Sequence, residues 1–254
     1  MVVEFEENRS KSYKAAISNF PDVWEQDLDI MAKYLDPKPG NTIAELGAGS
    51  GFFSFSILDK IQATGTLVVI DPSSEQLAPL YEHKADNLLI HCATAEDAVM
   101  PSDVCLDLIW SRGAFHHVKD KTAVMSKLRA QSKDDARCVI FDIFTGSSTA
   151  KFFDQFVAQT CTTGHEVSFL SKEFATSLCL NTGWQAPEFI DIPLRWKFNL
   201  KSDIGVFISQ LLSTKPGVSV EDTTGIAEAI LGIEYIDDNF YLNWPMTLMI
   251  SKAD

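Results

Sequence analysis

The sequence predicts an α/β fold in which helices cover both faces of an open, mostly parallel, doubly wound sheet. Its first half contains five short apolar runs rich in Val, Ile and Phe, with helical stretches between them. The runs are continuously apolar, as expected for strands covered on both faces. Their alternation with helices is typical of parallel sheets. Right-handed crossovers then place a ligand crevice at the carboxyl ends of the first and fourth strands.

The elements of the first half follow in order. The strands are expected at 42–46, 65–71, 87–93, 106–111 and 137–144, and the helices at 51–61, 74–83 and 119–132. Ahead of the first strand, "VWEQDLDIMAKYL" spaces its apolar residues as an amphipathic helix that "DPKPG" ends.

The second half has a different rhythm. Its expected elements are helices at 149–160 and 171–181, a strand at 184–198, helices at 202–213 and 221–232, and a final strand at 242–252. Because Pro245 cannot donate to a ladder, the final strand suits the edge of a sheet.

Composition excludes several partners. The 254 residues are 46% hydrophobic, enough for the core of one elaborated domain. A formal charge of −14 argues against nucleic acid and anionic membranes as partners. The start, "MVVEFEENRSKS", lacks the features of a signal peptide, and five scattered cysteines fit reduced thiols. We therefore expect a cytoplasmic protein without a structural metal.

A glycine-rich loop, "AELGAGSGFF" (44–53), follows the first predicted strand. It lacks the Lys and Ser or Thr of a phosphate-binding loop. Phe52 occupies the position that a dinucleotide loop reserves for a small residue, which disfavours a nicotinamide dehydrogenase without excluding it. Glu45 would repel a pyrophosphate, whereas it suits a ligand that carries an ammonium group.

A second acid, Asp71, ends the second predicted strand, twenty residues beyond Gly51. A carboxylate at this position can accept hydrogen bonds from both hydroxyls of a ribose. Alternatively, Asp71 starts a turn before Pro72.

Two further segments complete the pattern. They are "HCATAEDAVMP" (91–101) and "LDLIWSRGAFHHVKD" (106–120). Together with the loop E-x-G-x-G-x-G and Asp71, they resemble the class I S-adenosylmethionine-dependent methyltransferases, in the branch that acts on small molecules. The resemblance covers roughly residues 40–145.

The resemblance implies a seven-stranded Rossmann-like sheet in a single domain that binds S-adenosylmethionine. Its parts would be an N-terminal helical lid (1–40), a cofactor-binding half (41–145) and a substrate-side half with inserted helices (146–254). The implied cofactor-binding residues are Tyr13, Glu45, Gly47, Ala48, Gly49, Asp71, Pro72, Thr94, Ala95, Glu96, Ser111 and Arg112.

Each of these residues has an implied role. Glu45 would order the loop and bind the amino group of the methionine part, directly or through water. Gly47, Ala48 and Gly49 would let the backbone pass close to that part, which Tyr13 would reach from the lid.

Further residues would surround the nucleoside part. Family members often carry an acid at the position of Thr94 for the adenine amino group. Ala95 would offer a backbone N–H, while Glu96 is equally suited to capping the next segment. Ser111 and Arg112 would lie beside the cofactor at the exit of the fourth strand.

The histidines are the candidates for a general base. Methyl transfer from a sulfonium is an in-line displacement, so a base matters only when the acceptor must lose a proton. His117 is the first candidate and His116 the second, although both fit a purely structural role as well. His165 is more typical of a loop histidine. Arg112 could hold a substrate carboxylate, although it is more typical of a local salt bridge.

The substrate is expected to bind the second half. Many aromatic residues there favour an apolar or aromatic small molecule. The inserted helices, roughly 201–232, would form either a substrate lid or a contact in a homo-oligomer. Because a fold alone does not settle function, an S-adenosylmethionine-binding protein with non-methylating chemistry, such as a cyclase, decarboxylase or binding module, stays open.

Overall fold

A computed structural model describes residues 7–162 and 167–254, and within them the chain forms two sheets. The strands are β1 (Thr42–Leu46), β2 (Thr66–Asp71), β3 (Leu88–Cys92), β4 (Leu106–Arg112), β5 (Ser132–Asp142), β6 (Glu188–Ile192), β7 (Arg195–Phe198), β8 (Ile233–Ile236), β9 (Asn239–Asn243) and β10 (Met246–Lys252).

Helices flank both sheets. They are α1 (Glu7–Asn19), α2 (Glu25–Tyr34), α3 (Phe52–Ile61), α4 (Ser74–His83), α5 (Lys121–Ala130), α6 (Ser148–Phe152), α7 (Ala158–Thr160), α8 (Lys172–Asn181), α9 (Lys201–Leu212) and α10 (Val220–Ile230). Short 3₁₀ turns occur at Pro21–Trp24 and Phe115–His117, and a π-helical segment, Phe153–Val157, joins α6 to α7. No helix within the described ranges is long and apolar enough to cross a membrane.

The main sheet has seven strands in the order β3-β2-β1-β4-β5-β10-β6. Strand β1 pairs in parallel with β2 on one side and β4 on the other, so the strand order reverses between β1 and β4. Strand β10 runs in the opposite direction to the other six strands, so it pairs antiparallel with both β5 and β6. The predicted doubly wound, mostly parallel seven-stranded sheet is therefore confirmed.

The hydrophobic core lies on both faces of this sheet. Neighbouring residues of β1 show this directly, because Ile43 and Ala44 are both fully buried but belong to two separate apolar clusters. Side chains that follow one another along a strand point to opposite faces. Burial of both faces explains why the strand runs are continuously apolar.

The predicted single strand at 184–198 is wrong, because the chain changes sheets at Pro193. Strand β6 belongs to the main sheet, whereas β7 joins β9 and β8 in a small antiparallel sheet. The strands that pair with β6 and β7 change sheets at the same level, where Pro245 separates β9 from β10. A proline has no N–H to donate, so each ladder ends at its proline.

The expectation that the final strand lies at an edge is also wrong. Strand β10 pairs with β5 on one side and β6 on the other. Pro245 precedes Met246, the first residue of the strand, and therefore removes no ladder hydrogen bond from the main sheet.

Helix α1 connects α9 in the second half of the chain to α4 in the first half. Arg9 donates to the carbonyl oxygen of Leu212 (3.0 Å), and Ser12 donates to that of Gln210 (2.8 Å), at the carboxyl end of α9. Both carbonyl oxygens belong to the last turn of α9, and a cation there also complements the helix dipole. On the other side, Gln76 of α4 donates to Ser10.

A glycine in α9 sets how closely α9 and α10 pack. A Cβ atom added at Gly205 would lie 2.4 Å from the carbonyl oxygen of Val220 and 2.3 Å from Oγ1 of Thr224. We expect Gly205→Ala to lower the free energy of unfolding by about 1–3 kcal/mol, since backbone must move. Thermal unfolding measures this directly.

Gly225→Ala in α10 is the matched control. Nothing lies within 4 Å of a Cβ at Gly225, and the residue is exposed inside a helix. Alanine there should raise the free energy of unfolding by about 0.5–1 kcal/mol. Equal effects of the two substitutions would contradict the tight contact between α9 and α10.

Candidate active site

The carboxyl ends of β1, β2 and β4 open into a cleft of about 440 Å³, here called the outer cleft. Its walls include nine of the residues predicted to bind the cofactor: Tyr13, Gly47, Gly49, Asp71, Pro72, Thr94, Ala95, Glu96 and Arg112. The crevice therefore lies where the strand order reverses, as the sequence predicts.

A second cavity, here called the inner cavity, has a volume of about 100 Å³ and lies towards the inserted segments. Aromatic side chains dominate its walls: Trp24, Phe52, Phe53, Phe153, Trp196 and Trp244. Tyr13, Arg112 and His117 line both the outer cleft and the inner cavity. The two spaces therefore share a boundary.

The glycine loop needs its glycines for two different reasons. Gly47 has φ +72°, and a Cβ there would lie 2.2 Å from the Cβ of Ala114. Gly49 has φ +55°, and nothing lies within 4 Å of its added Cβ, so its backbone faces open space. Ala48 lines the inner cavity. The loop thus presents bare backbone between the two spaces.

Asp71 holds the loop from β2. Its Oδ2 accepts a hydrogen bond from the backbone N–H of Gly49 (2.9 Å), and its Oδ1 accepts one from Ser73 (2.9 Å). Burial raises the pKa of Asp71, and these two bonds oppose the rise. Each oxygen keeps a lone pair, so the carboxylate can also accept hydrogen bonds from a ligand in the outer cleft.

Glu45 is 2% exposed, and its Oε2 accepts a hydrogen bond from the hydroxyl of Ser54 in α3 (2.5 Å). Burial raises its pKa to about 8, against the hydrogen bond from Ser54, and the charge of Asp71 adds to the rise. A cationic group nearby would lower the pKa again. Glu45 is not among the residues that line the outer cleft or the inner cavity.

The segment around Thr94 is fixed by its own hydrogen bonds. The hydroxyl of Thr94 donates to Asp97 (2.9 Å) and accepts from the backbone N–H of that residue. Glu96 accepts hydrogen bonds from the backbone N–H groups of Lys119 and Asp120, just ahead of α5, rather than capping the segment that follows it. Lys127 donates to three carbonyl oxygens of residues 95–98 at 2.5–3.2 Å.

Ser111 and Arg112 differ in what they face. Ser111 is fully buried and donates to the carbonyl oxygen of Leu46 (3.1 Å), so its hydroxyl links β4 to β1. Arg112 donates from Nε to Asp27 of α2 (2.8 Å), and its guanidinium lies 4.2 Å from the ring centroid of Trp24. Trp196 donates to the other oxygen of Asp27 (3.2 Å). The local salt bridge expected for Arg112 is therefore present.

His116 and His117 form a 3₁₀ turn after β4, and their ring centroids lie 4.2 Å apart. Nδ1 of His116 lies 2.6 Å from Oδ1 of Asp142, at the end of β5. Both histidines line the inner cavity, and His117 reaches the boundary with the outer cleft. His165 lies outside the described residues.

Sequence reasoning missed two acids of the site, Asp27 and Asp142. Both are buried, and each lies beside a predicted site residue far away in the sequence. Asp142 interrupts the apolar run "CVIFDIF" at a strand end, which is the signal that identified Asp71. Within the described ranges, no group of three or more potential metal ligands is assembled.

Comparison with solved structures finds the same fold in many proteins. A phosphoethanolamine N-methyltransferase of Haemonchus contortus aligns over 99% of this chain and 60% of its own, with a TM-score of 0.68 and 16% identity. The YcgJ protein of Bacillus subtilis aligns over 90% and 98% (TM-score 0.61, 16% identity). The mycolic acid cyclopropane synthase CmaA1 aligns over 90% and 83% (TM-score 0.62, 15% identity).

Comparison with curated proteins yields no significant match. A family model described as a methyltransferase domain matches residues 37–200, which is more than half of the chain. The matched region includes the glycine loop, Asp71 and the histidine turn. The chain therefore belongs to the methyltransferase domain family, and it is a class I S-adenosylmethionine-dependent methyltransferase.

Proposed function

We propose that the protein transfers the methyl group of S-adenosylmethionine to an oxygen, nitrogen or carbon atom of a small apolar or aromatic molecule. The observation that carries this proposal is the shared boundary between the outer cleft and the inner cavity. A nucleoside in the first space and an acceptor in the second would meet at Tyr13 and His117.

The outer cleft suits the cofactor along its length. Asp71 would hold the ribose hydroxyls, while the segment from Thr94 to Glu96, with Pro72, would enclose the adenine. The open backbone at Gly49 leaves room for the amino-acid tail, and Glu45 supplies a negative charge for its ammonium group. Bound there, S-adenosylmethionine supplies a methyl carbon activated by the sulfonium.

The inner cavity suits a planar acceptor. Stacked indoles of Trp196 and Trp244, with centroids 4.4 Å apart, form one wall, and Phe153 packs edge-on against Trp244. The related structures contain S-adenosylhomocysteine together with either phosphomonomethylethanolamine or CTAB, so the fold accommodates chemically different molecules in addition to the nucleoside. The aromatic walls support an organic acceptor held mainly by packing.

The chain's own contribution to the rate is positioning. Internal hydrogen bonds hold the walls of the outer cleft in place. They join the glycine loop to Asp71 and fix the segment 94–98. Holding acceptor and methyl carbon in line can lower the barrier by about 7–11 kcal/mol. Tyr13, whose hydroxyl pKa is raised by burial, lies at the boundary and closes it from α1.

The first experiment is calorimetric titration with S-adenosylmethionine, S-adenosylhomocysteine and NAD in parallel, followed by a screen of small phenols, hydroxy acids and amines. Binding of both sulfur nucleosides, and formation of S-adenosylhomocysteine with one acceptor, would support the proposal. A protein that binds the cofactor and returns it intact with every acceptor would instead support non-methylating chemistry. Binding of NAD alone would overturn the cofactor assignment.

Asp71→Asn tests the ribose contact. We expect the dissociation constant of S-adenosylhomocysteine to rise about tenfold or more, because hydrogen bonds to a charged acceptor contribute about 1.5–3 kcal/mol. Asp107→Asn is the control, since Asp107 also accepts a backbone N–H, from Thr42, but lies at the opposite end of β4. An unchanged dissociation constant in Asp71→Asn would place the nucleoside elsewhere.

Glu45→Gln tests the buried charge. With a folded pKa of about 8 against an ordinary value of 4.5, the folded protein holds an extra proton between these values. Stability of the ligand-free protein should therefore fall as pH rises from about 4.5 to about 8. The Gln variant should lose this decline and melt higher than the wild type at pH 8.

The same variant should bind S-adenosylmethionine more weakly, since it cannot pair with the ammonium group. At pH 7 the wild type should release a proton on binding, which calorimetry detects as a binding enthalpy that depends on the buffer. If the stability of the wild type and of the variant changes with pH in the same way, or if both release a proton on binding, Glu45 is not the group that loses its proton.

A further inference from the structure

A buried acid holds Arg112 at the boundary between the outer cleft and the inner cavity. Nε of Arg112 donates to Oδ1 of Asp27 (2.8 Å), and Nη2 lies 2.5 Å from the same oxygen. The side chain of Asp27 is fully buried, and that of Arg112 is 9% exposed. Because Trp196 donates to Oδ2 of Asp27 (3.2 Å), the acid is itself held in place. Asp27 therefore fixes one edge of the guanidinium.

The protein uses few of the hydrogen-bond donors at this point. A guanidinium is a planar fork with several N–H donors and no acceptor. Within residues 7–162 and 167–254, the Nε–H is the only donor of Arg112 that forms a hydrogen bond. The ring of Trp24 lies 4.2 Å from the guanidinium carbon, and its buried indole N–H has no acceptor in the same ranges. Buried donors without an acceptor are costly, so two neighbouring ones indicate a ligand that accepts hydrogen bonds.

The charge of the inner cavity is opposite to that of the whole protein. The chain has a formal charge of −14. Of the described residues that line the inner cavity, two carry a full charge at neutral pH, Arg9 and Arg112, and none is Asp or Glu. Burial raises the pKa of the Tyr13 hydroxyl, and the charge of Arg112 opposes this rise more strongly than Asp27 adds to it. The positive charge of Arg112 therefore acts at the boundary in spite of its acidic partner.

The aromatic contacts of Arg112 lie on the side of the inner cavity. Its guanidinium carbon is 4.2 Å from the ring centroid of Trp24 and 5.7 Å from that of Trp196. Both indoles line the inner cavity, and neither is among the residues that line the outer cleft. Packing against indole faces leaves the edges of the guanidinium for hydrogen bonds. An anionic group bound there would have the rest of its molecule between aromatic walls.

We propose that the acceptor of the methyl group carries a carboxylate, which Arg112 binds, beside an apolar or aromatic body. This inference rests on the proposed function and narrows its substrate class to small organic acids. A carboxylate only accepts hydrogen bonds, so it matches the unused donors of Arg112 and Trp24. Arg112 is then a specificity-determining residue, and Asp27 is a positioning residue that acts through it. S-adenosylmethionine carries a carboxylate as well, and cofactor affinity distinguishes the two sources.

Binding of unreactive acids tests the proposal without any turnover. Benzoate, phenylacetate and 3-phenylpropionate, each beside its primary amide, are titrated by calorimetry into the protein saturated with S-adenosylhomocysteine. Each amide keeps the shape of its acid but lacks the charge. We expect at least one acid to bind about tenfold or more tightly than its amide, because charge-assisted hydrogen bonds are stronger than neutral ones. Equal affinities within every pair, or no binding of any acid, would overturn the proposal.

Variants of the ion pair assign the preference to Arg112. The double variant Arg112→Met/Asp27→Asn removes both charges, so no buried charge is left without its partner. It should lose the preference for acid over amide, whereas Arg112→Lys should keep part of it, since Lys retains the charge but not the fork. Arg195→Met is the control, because Arg195 is exposed on β7 and is not among the residues that line either space. A double variant that prefers acids as strongly as the wild type does would contradict the assignment.

Cofactor affinity and turnover separate this inference from the proposed function. The double variant should bind S-adenosylhomocysteine as the wild type does. Weaker binding of that nucleoside, with the preference for acids retained, would assign Arg112 to the carboxylate of the cofactor and overturn the proposal. If the wild type binds no cofactor or methylates nothing in the screen, the proposed function fails, whichever acids bind. If the wild type methylates phenols or amines that lack a carboxylate with the same kcat/KM as hydroxy acids, the proposed function stands and this inference fails.

Discussion

Parallel pairing of β1 with both β2 and β4 is the constraint on which the site depends. The pairing brings the carboxyl ends of three strands to one edge of the sheet, and with them Glu45, Asp71 and Arg112. Helices leave this edge in opposite directions, so the crevice between them cannot be filled by the sheet itself. Three connections lie at this one edge: the glycine loop after β1, the segment 94–98 after β3 and the histidine turn after β4.

The parts of the site that could be predicted from the sequence are those that lie close to strand ends. The glycine loop, Asp71 and the histidine turn lie within a few residues of strand ends, so their positions follow once the strands are assigned. The small sheet could not be found in this way, because β7 has only four residues and pairs with β9 more than 40 residues later. Asp27 and Asp142 gain their meaning only from contacts with distant residues.

The buried acids of the site differ in how their charge is balanced. Asp27 lies against the guanidinium of Arg112, and Asp142 against the ring of His116. Glu45 is held instead by the neutral hydroxyl of Ser54. Its negative charge is therefore costly in the folded protein, which links stability to the protonation of this one side chain.

Two prolines lie at the boundary between the main sheet and the small sheet. Pro193 and Pro245 lie at the points where β6 continues into β7 and β9 continues into β10. The whole insertion lies between these two prolines. It supplies Trp196 and Trp244 to the inner cavity. Evolution could lengthen, shorten or replace this insertion without altering the register of the main sheet. The residues that line the inner cavity could thus change while Glu45 and Asp71, on β1 and β2 of the main sheet, stayed in place.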